Sequence, residues 1–211
     1  MLLHLLSKRH DLNFELAMRI RIQLGDMVEV MDEVHGFQYL DSRDLTGFID
    51  GTENPSGAKD HTNVALIGDE DRTFAGGSYV FTQRYVHNLK KWATIPTTEQ
   101  EKTIGRKKKD SKELSANAKP PTAHISRVVM EEHGEELEIV RHGFPYGTVS
   151  EAGLFFIAYS KTLDIPEKML SRMMGTSGDD LHDHLMEYTQ AVSGATFFAP
   201  SLEVLKTLGA R

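Results

Sequence analysis

From residue 78 onward the chain reads as strand, helix, strand, strand, helix, strand, and no other feature constrains its fold as strongly. Residues 78–89 alternate, with Tyr79, Phe81 and Tyr85 on one side and Val80, Thr82, Arg84 and Val86 on the other. Residues 98–105 predict a short helix. A polar connection ends at Pro120-Pro121, and residues 123–130 and 136–141 then predict a hairpin around Glu132-His133-Gly134-Glu135. Residues 153–161 predict an apolar strand. Helices are expected over about 166–174 and 180–191, broken by residues 175–178, followed by a strand over 195–199 and a last helix over 202–208.

That order is the split βαβ pattern of a ferredoxin-like α+β fold on an antiparallel sheet, complete over about residues 78–211. The front of the chain offers less. Asp11 is a candidate N-cap, and Leu12, Leu16, Ile20 and Leu24 recur at helical spacing up to a Gly25 C-cap. Residues 27–34 predict a strand. These two elements look like the closing part of a second, incomplete ferredoxin-like half. The expected organisation is therefore a remnant over 1–40, a loop and connection over 41–77, and the complete half over 78–211. Residues 35–77 read as irregular, and a loop of that length in a compact domain is either functional or poorly ordered.

The charge balance is acidic, −7 over 211 residues, which argues against a nucleic-acid or anionic-membrane binder. The basic run Arg106–Lys109 ends at Asp110 in a polar stretch and predicts a solvated surface. With no cysteine, disulfides, iron–sulfur clusters, thiolate-ligated haem and cysteine nucleophiles are excluded. Ten histidines remain as possible metal ligands beside the carboxylates. The leading Met1–Leu6 segment is too short for an export signal, its charges follow it, and no stretch is long enough to span a membrane; a cytoplasmic location is expected.

Within 41–77 lies Gly47-Phe48-Ile49-Asp50-Gly51-Thr52-Glu53-Asn54-Pro55. Gly47 and Gly51 admit backbone angles that other residues avoid, and Pro55 pushes Asn54 out of helical geometry. Asp50 is thereby placed on a tight loop. It either closes the turn or is a carboxylate held still for acid–base work. His124 and Arg141 have equally plain alternatives, a satisfied core histidine and a surface arginine ending a strand.

Taken together, Gly47–Pro55, Ser78–Phe81, His124-Ile125, Ile139–Arg141, Phe144–Gly147 and Thr196–Ser201 resemble the dye-decolourising peroxidase family over essentially the whole chain. The resemblance implies haem b, held mainly by the second of two ferredoxin-like halves, with His124 as proximal iron ligand. It implies Asp50 as the distal acid–base group and Arg141 as the distal cation that steadies peroxide charge, touching the cofactor. Glu187 falls where the family places a carboxylate against the proximal histidine. Gly143, two residues after the arginine, departs from the polar side chain common in relatives, and the family's usual chain is longer at its amino terminus. The implied activity is reduction of hydrogen peroxide and one-electron oxidation of phenolic or dye-like small organic reductants, without nucleic-acid or membrane partners. The alternatives are a non-enzymatic haem-binding module and release of iron from haem. Uncovered sheet edges in an incomplete half point to homo-oligomers. His182 and His184, two apart on an expected helix, face different sides and do not chelate together. Trp92, Tyr79, Tyr85 and Tyr159 are core residues or surface electron relays.

Overall fold

The computed structural model describes residues 1–208, which divide into two compact units, Met1–His35 and the rest from Gly36. In the first unit, helix α1 spans His10–Leu24 and stops at Gly25, whose φ of 51° and N–H to the Arg21 carbonyl make the expected C-cap. The N-cap is Arg9. Asp11 lies one residue inside the helix, where it accepts from the Arg9 guanidinium at 3.0 Å. The strand expected over 27–34 does not form. A strand exists only by pairing, and the described residues of this unit hold no partner for it.

In the second unit, α2 (Ala58–Ala65) breaks the stretch expected to be irregular. Then come β1 (Ser78–His87), α3 (Leu89–Thr94), α4 (Thr97–Ile104) and α5 (His124–Val128). A minimal ribbon, β2 (Glu131–Glu132) with β3 (Glu135–Glu136), leads to β4 (Val140–Gly147), β5 (Ala152–Ser160) and α6 (Asp164–Met174). The chain continues through β6 (Thr189–Ala199) and α7 (Leu202–Leu208). The four long strands form one antiparallel sheet in the order β4-β5-β1-β6, which is the ferredoxin-like order. Among the described residues, no helix is long and apolar enough to cross a membrane.

Strand register sets the two faces. Residues directly opposite in an antiparallel ladder point to the same side. Arg141, Ala158 and Phe81 therefore share a face with Gly143, Phe156 and Gln83, and with Leu154 and Tyr85. At one end this face carries a core in which Ala158, Phe81 and Phe156 pack on Met130, Ile139, Ile165 and Met169. The opposite face buries Val80, Thr82, Val140, Tyr146 and Ile157.

Two expected elements are replaced. Residues 124–128 are helical rather than extended, with the Arg127 N–H bonded to the Ala123 carbonyl at 3.1 Å. The five residues His-Ile-Ser-Arg-Val are too few to set a period, and Ile125 is held by close packing on the α4 C-cap, where a Cβ on Gly105 would lie 2.5 Å from it. The helix expected over 180–191 is absent. Residues 177–181 instead wrap the guanidinium of Arg127, His184–Glu187 make one 3₁₀ turn, and Thr189–Ala191 already pair with β1.

Arg127 is only 2% exposed and cross-links three segments. Its Nε donates to the Arg172 carbonyl at 3.0 Å, and its two Nη groups donate to Asp179 at 2.7 and 3.0 Å. The Leu181 carbonyl and the Ser177 hydroxyl accept further bonds at 3.1 and 3.2 Å. This hydrogen bonding to Arg127 holds the Asp179 carboxyl well below the usual carboxylate range. Replacing the guanidinium orphans these acceptors, so Arg127→Ala is expected to lower unfolding free energy by about 3–5 kcal/mol in urea titration. A loss below about 1 kcal/mol would show that the cross-link is unimportant.

Candidate functional site

The loop that carries Asp50 is rigid for identifiable reasons. Gly47 and Gly51 have φ of 88° and 78°. The Asp44 N–H donates to the Phe48 carbonyl at 2.8 Å, and the Asp50 N–H reaches the Ser42 carbonyl at 3.2 Å. Phe48 is buried edge-on to Trp92, whose indole N–H donates to the Thr46 carbonyl at 2.9 Å. Trp92 thus has a structural place. Asp44 ties the loop to β1 through His87 Nε2 at 3.1 Å. Burial alone would raise the Asp44 carboxyl, but His87 and Thr46 together hold it below its ordinary value.

The basic run also braces this loop, which corrects the expectation of a solvated surface. Its residues alternate: Lys107 and Lys109 are exposed, whereas Arg106 and Lys108 turn inward. The Lys108 ammonium lies 5.5 Å from the Phe48 ring centroid and 2.7 Å from Gln100 Oε1. Arg43 donates to the Lys108 carbonyl at 2.8 Å, and Arg106 pairs with Glu53. Burial, with the nearby Arg43 charge, pulls the Lys108 ammonium below its ordinary value.

Asn54 joins the loop to β4. Its Oδ1 accepts from the Arg141 N–H at 2.8 Å and its Nδ2 donates to the Arg141 carbonyl at 2.7 Å. β4 is an edge strand, so these two backbone groups have no strand partner on that side. The side-chain amide, with one acceptor and a donor pair, satisfies both. The sequence reading gave Asn54 no such task, because the bond crosses 87 residues.

Asp50 and Arg141 are brought together over one sheet face. A Cβ built on Gly143 would lie 1.9 Å from Asp50 Oδ2 and 3.1 Å from Leu154 Cδ1. The carboxylate therefore occupies the space that a side chain at 143 would take. Asp50 is half-buried, and its Oδ1 accepts from the Gly51 N–H at 2.7 Å. Desolvation raises its carboxyl above the ordinary value; the Arg141 charge opposes this without cancelling it, and Asp44 adds to it. Burial lowers the Arg141 guanidinium, opposed by Asp50 and Glu53, yet an arginine remains charged.

His124 opens α5. Its Nδ1 is 2.6 Å from Oδ2 of Asp183, a residue with no solvent exposure. Asp183 Oδ1 accepts from the Leu185 N–H at 2.8 Å, and the Asp183 N–H reaches the Met173 carbonyl at 2.9 Å. The structure corrects the assignment of this contact to Glu187. Glu187 is 44% exposed on its side chain and faces Lys91 and His182, at 3.8 and 3.6 Å. On a helix, positions 183 and 187 would share a face. In the extended backbone at Asp183 followed by a 3₁₀ turn, they do not. The same geometry overturns the expectation that His182 and His184 diverge. Asp183 also helps hold the buried Tyr85 phenol far above its ordinary value, after burial itself.

A carboxylate-locked imidazole is suited to hold a metal through Nε2, which bonds to no other group among the described residues. Facing groups of carboxylate and guanidinium can move a proton and stabilise an anion. Residues 41–204 match the family model described as Dyp-type peroxidase, C-terminal, and residues 1–38 match Dyp-type peroxidase, N-terminal. A dye-decolorizing peroxidase of Mycobacterium tuberculosis is 45% identical over 208 residues, covering 97% of this chain and 62% of that protein. The structure of DyPB from Rhodococcus jostii RHA1 superposes with a TM-score of 0.92 at 43% identity, covering 95% of this chain and 65% of that one. A putative dyp-type peroxidase protein from Shewanella oneidensis gives 0.91 at 47% identity, with 94% and 65% covered. Variants of the Rhodococcus protein are described in complex with heme. The chain thus spans somewhat under two thirds of the length of the relatives it matches.

The carboxylate of Asp50 is the flexible end of a side chain and can swing away from a methyl group. Gly143→Ala is therefore expected to change unfolding free energy by no more than about 1 kcal/mol. The same substitution should move the Asp50 carboxyl titration toward the ordinary aspartate value, read by carboxyl-carbon NMR.

Proposed function

We propose a haem peroxidase, proceeding from the fact that this chain belongs to the Dyp-type peroxidase family. The observation that carries the reading is the bond from His124 to the buried Asp183, with Asp50 and Arg141 gathered on the sheet face beyond it. The donor set fits haem b: an imidazole with its Nδ1 committed to a carboxylate, in a chain without cysteine. When bound, haem would supply the iron chemistry for splitting hydrogen peroxide and for one-electron oxidation of phenolic or dye-like reductants.

The protein's share follows from its own atoms. His124 presents Nε2 because Asp183 accepts the proton on Nδ1, and that acceptor makes the ring a more electron-rich ligand. Asp50 takes a proton from one peroxide oxygen and returns it to the leaving oxygen. Arg141 holds permanent positive charge where the peroxide becomes anionic. Asn54 keeps the Arg141 backbone in place, and the loop around Phe48 and Trp92 does the same for Asp50.

The raised Asp50 carboxyl sets the direction of the pH dependence. Asp50 works as a base only when ionised, so oxidation should fall as pH drops through a value above that of free aspartate. The sign for stability is opposite. The folded state holds this proton more tightly than the unfolded state, so the cost of ionising Asp50 appears as pH rises through the folded value. Asp50→Asn is expected to abolish the acid limb of the pH–rate profile, to make the protein no less stable at neutral pH, and to cut peroxide-dependent dye oxidation by about 10²–10⁴-fold. An acid limb that persists in Asp50→Asn would place the essential base elsewhere.

His124→Ala is expected to lose the absorption spectrum of a histidine-ligated haem after reconstitution, while Asp50→Asn keeps it. Asp183→Asn should retain haem but shift that spectrum, because an amide cannot take up the charge that the carboxylate carries. An unchanged spectrum in His124→Ala would rule out His124 as the ligand.

A further inference from the structure

We propose that His182, His184 and Glu187 form a binding site for one divalent transition cation of the zinc or copper type. The donor atoms of the three side chains lie within 4.8 Å of one another, and His182 Nε2 is 3.6 Å from Glu187 Oε1. Ligands at tetrahedral positions on an ion bound at about 2.0–2.1 Å stand roughly 3.3 Å apart. Small turns of partly exposed side chains close the difference.

The backbone explains why these residues converge. Asp183 is extended, with φ −74° and ψ 117°, so its neighbours at 182 and 184 point to the side opposite its own. Asp183 points into the core and is fully buried. The 3₁₀ turn over His184–Glu187 then brings a residue three positions on back beneath the first, which sets Glu187 under His184. The anchor is firm on both sides: the His184 N–H donates to the Thr122 carbonyl at 3.0 Å, and Asp183 is bonded to His124. The Thr122 hydroxyl lies 3.3 Å from His184 Nδ1, which orients the ring and leaves Nε2 for the ion.

Lys91 opposes binding. Its ammonium donates to the Glu187 carbonyl at 3.0 Å, lies 4.7 Å from the Tyr188 ring centroid and stands 3.8 Å from Glu187 Oε2. It therefore engages one carboxylate oxygen while the other faces His182. Two imidazoles and one carboxylate, without thiolate, favour zinc or copper over magnesium or calcium, and leave a fourth position for water. None of the three side chains has a part in the haem chemistry proposed above.

The test is a titration of the tag-free chain with zinc against a chromophoric chelator, with cobalt absorption as a second reading of the ligand set. One zinc per chain is expected, with the intense visible bands of tetrahedral cobalt. His182→Ala combined with His184→Ala should weaken zinc by more than about tenfold, Glu187→Gln by roughly tenfold, and Lys91→Ala should tighten it several-fold. Far-UV dichroism keeps loss of fold apart from loss of ligand, and Lys91→Ala gives a gain that misfolding cannot mimic. Zinc affinity unchanged in the double histidine variant, or no binding by the parent chain at 100 µM zinc (about −5.5 kcal/mol at that Kd), would overturn the proposal.

Discussion

A buried guanidinium must find acceptors for its donors, and Arg127 meets that demand by bending the chain around itself. It sits three residues after His124, yet four of the groups it bonds come from residues 172–181. Those residues cannot continue α6 and also turn their carbonyls and carboxylate toward Arg127. The chain therefore leaves the helix at Gly175, circles the guanidinium and returns extended at Asp183. Asp183 arrives in the core under the ring of His124 as a consequence. One charged group placed in the interior thus sets the path of the segment that supplies the carboxylate bonded to His124.

The loop that carries Asp50 answers a different demand with the same economy. The edge of β4 exposes a backbone N–H and carbonyl at Arg141, and an open edge invites unwanted pairing. Asn54 covers both groups, so closing the edge and docking the Asp50 loop are one event. The docking has an energetic cost that the site uses. Asp50 is pressed against Gly143 and partly desolvated, and its carboxyl is raised although Arg141 is near. A side chain at 143 would displace the carboxylate from that space.

Much of this was legible in the residues. The strands that begin at 78 and near 153, the glycine-framed turn around Asp50 and the Gly25 and Gly175 stops all follow from local rules, and they appear in the structure. What was not legible depended on partners distant in sequence. Residues 124–128, His-Ile-Ser-Arg-Val, are too short a pattern to separate strand from helix, and packing against Gly105 decides between them. Asp183 and Glu187 stand four apart, so a helical reading treats them as neighbours on one face. Only the demand of Arg127 shows that the segment is extended, and then the two carboxylates separate, one to the core and one to water. Lys108 was hidden in a basic run for a related reason: alternation between inward and outward lysines cannot be seen from charge alone.

The segment 182–187 consequently works on two media. Asp183 faces a low-dielectric interior, where its charge is balanced by the donor on His124 and by the Leu185 N–H. His182 and Glu187 face water, where charges are screened over short distances. Changes on the outer side should reach His124 only through the backbone at 183, since solvent attenuates their direct field far more than the interior attenuates that of Asp183. Backbone position at 183 is in turn held by the Met173 carbonyl and by the turn around Arg127. The alternation that exposes two histidines is thus the same feature that isolates the buried carboxylate from them.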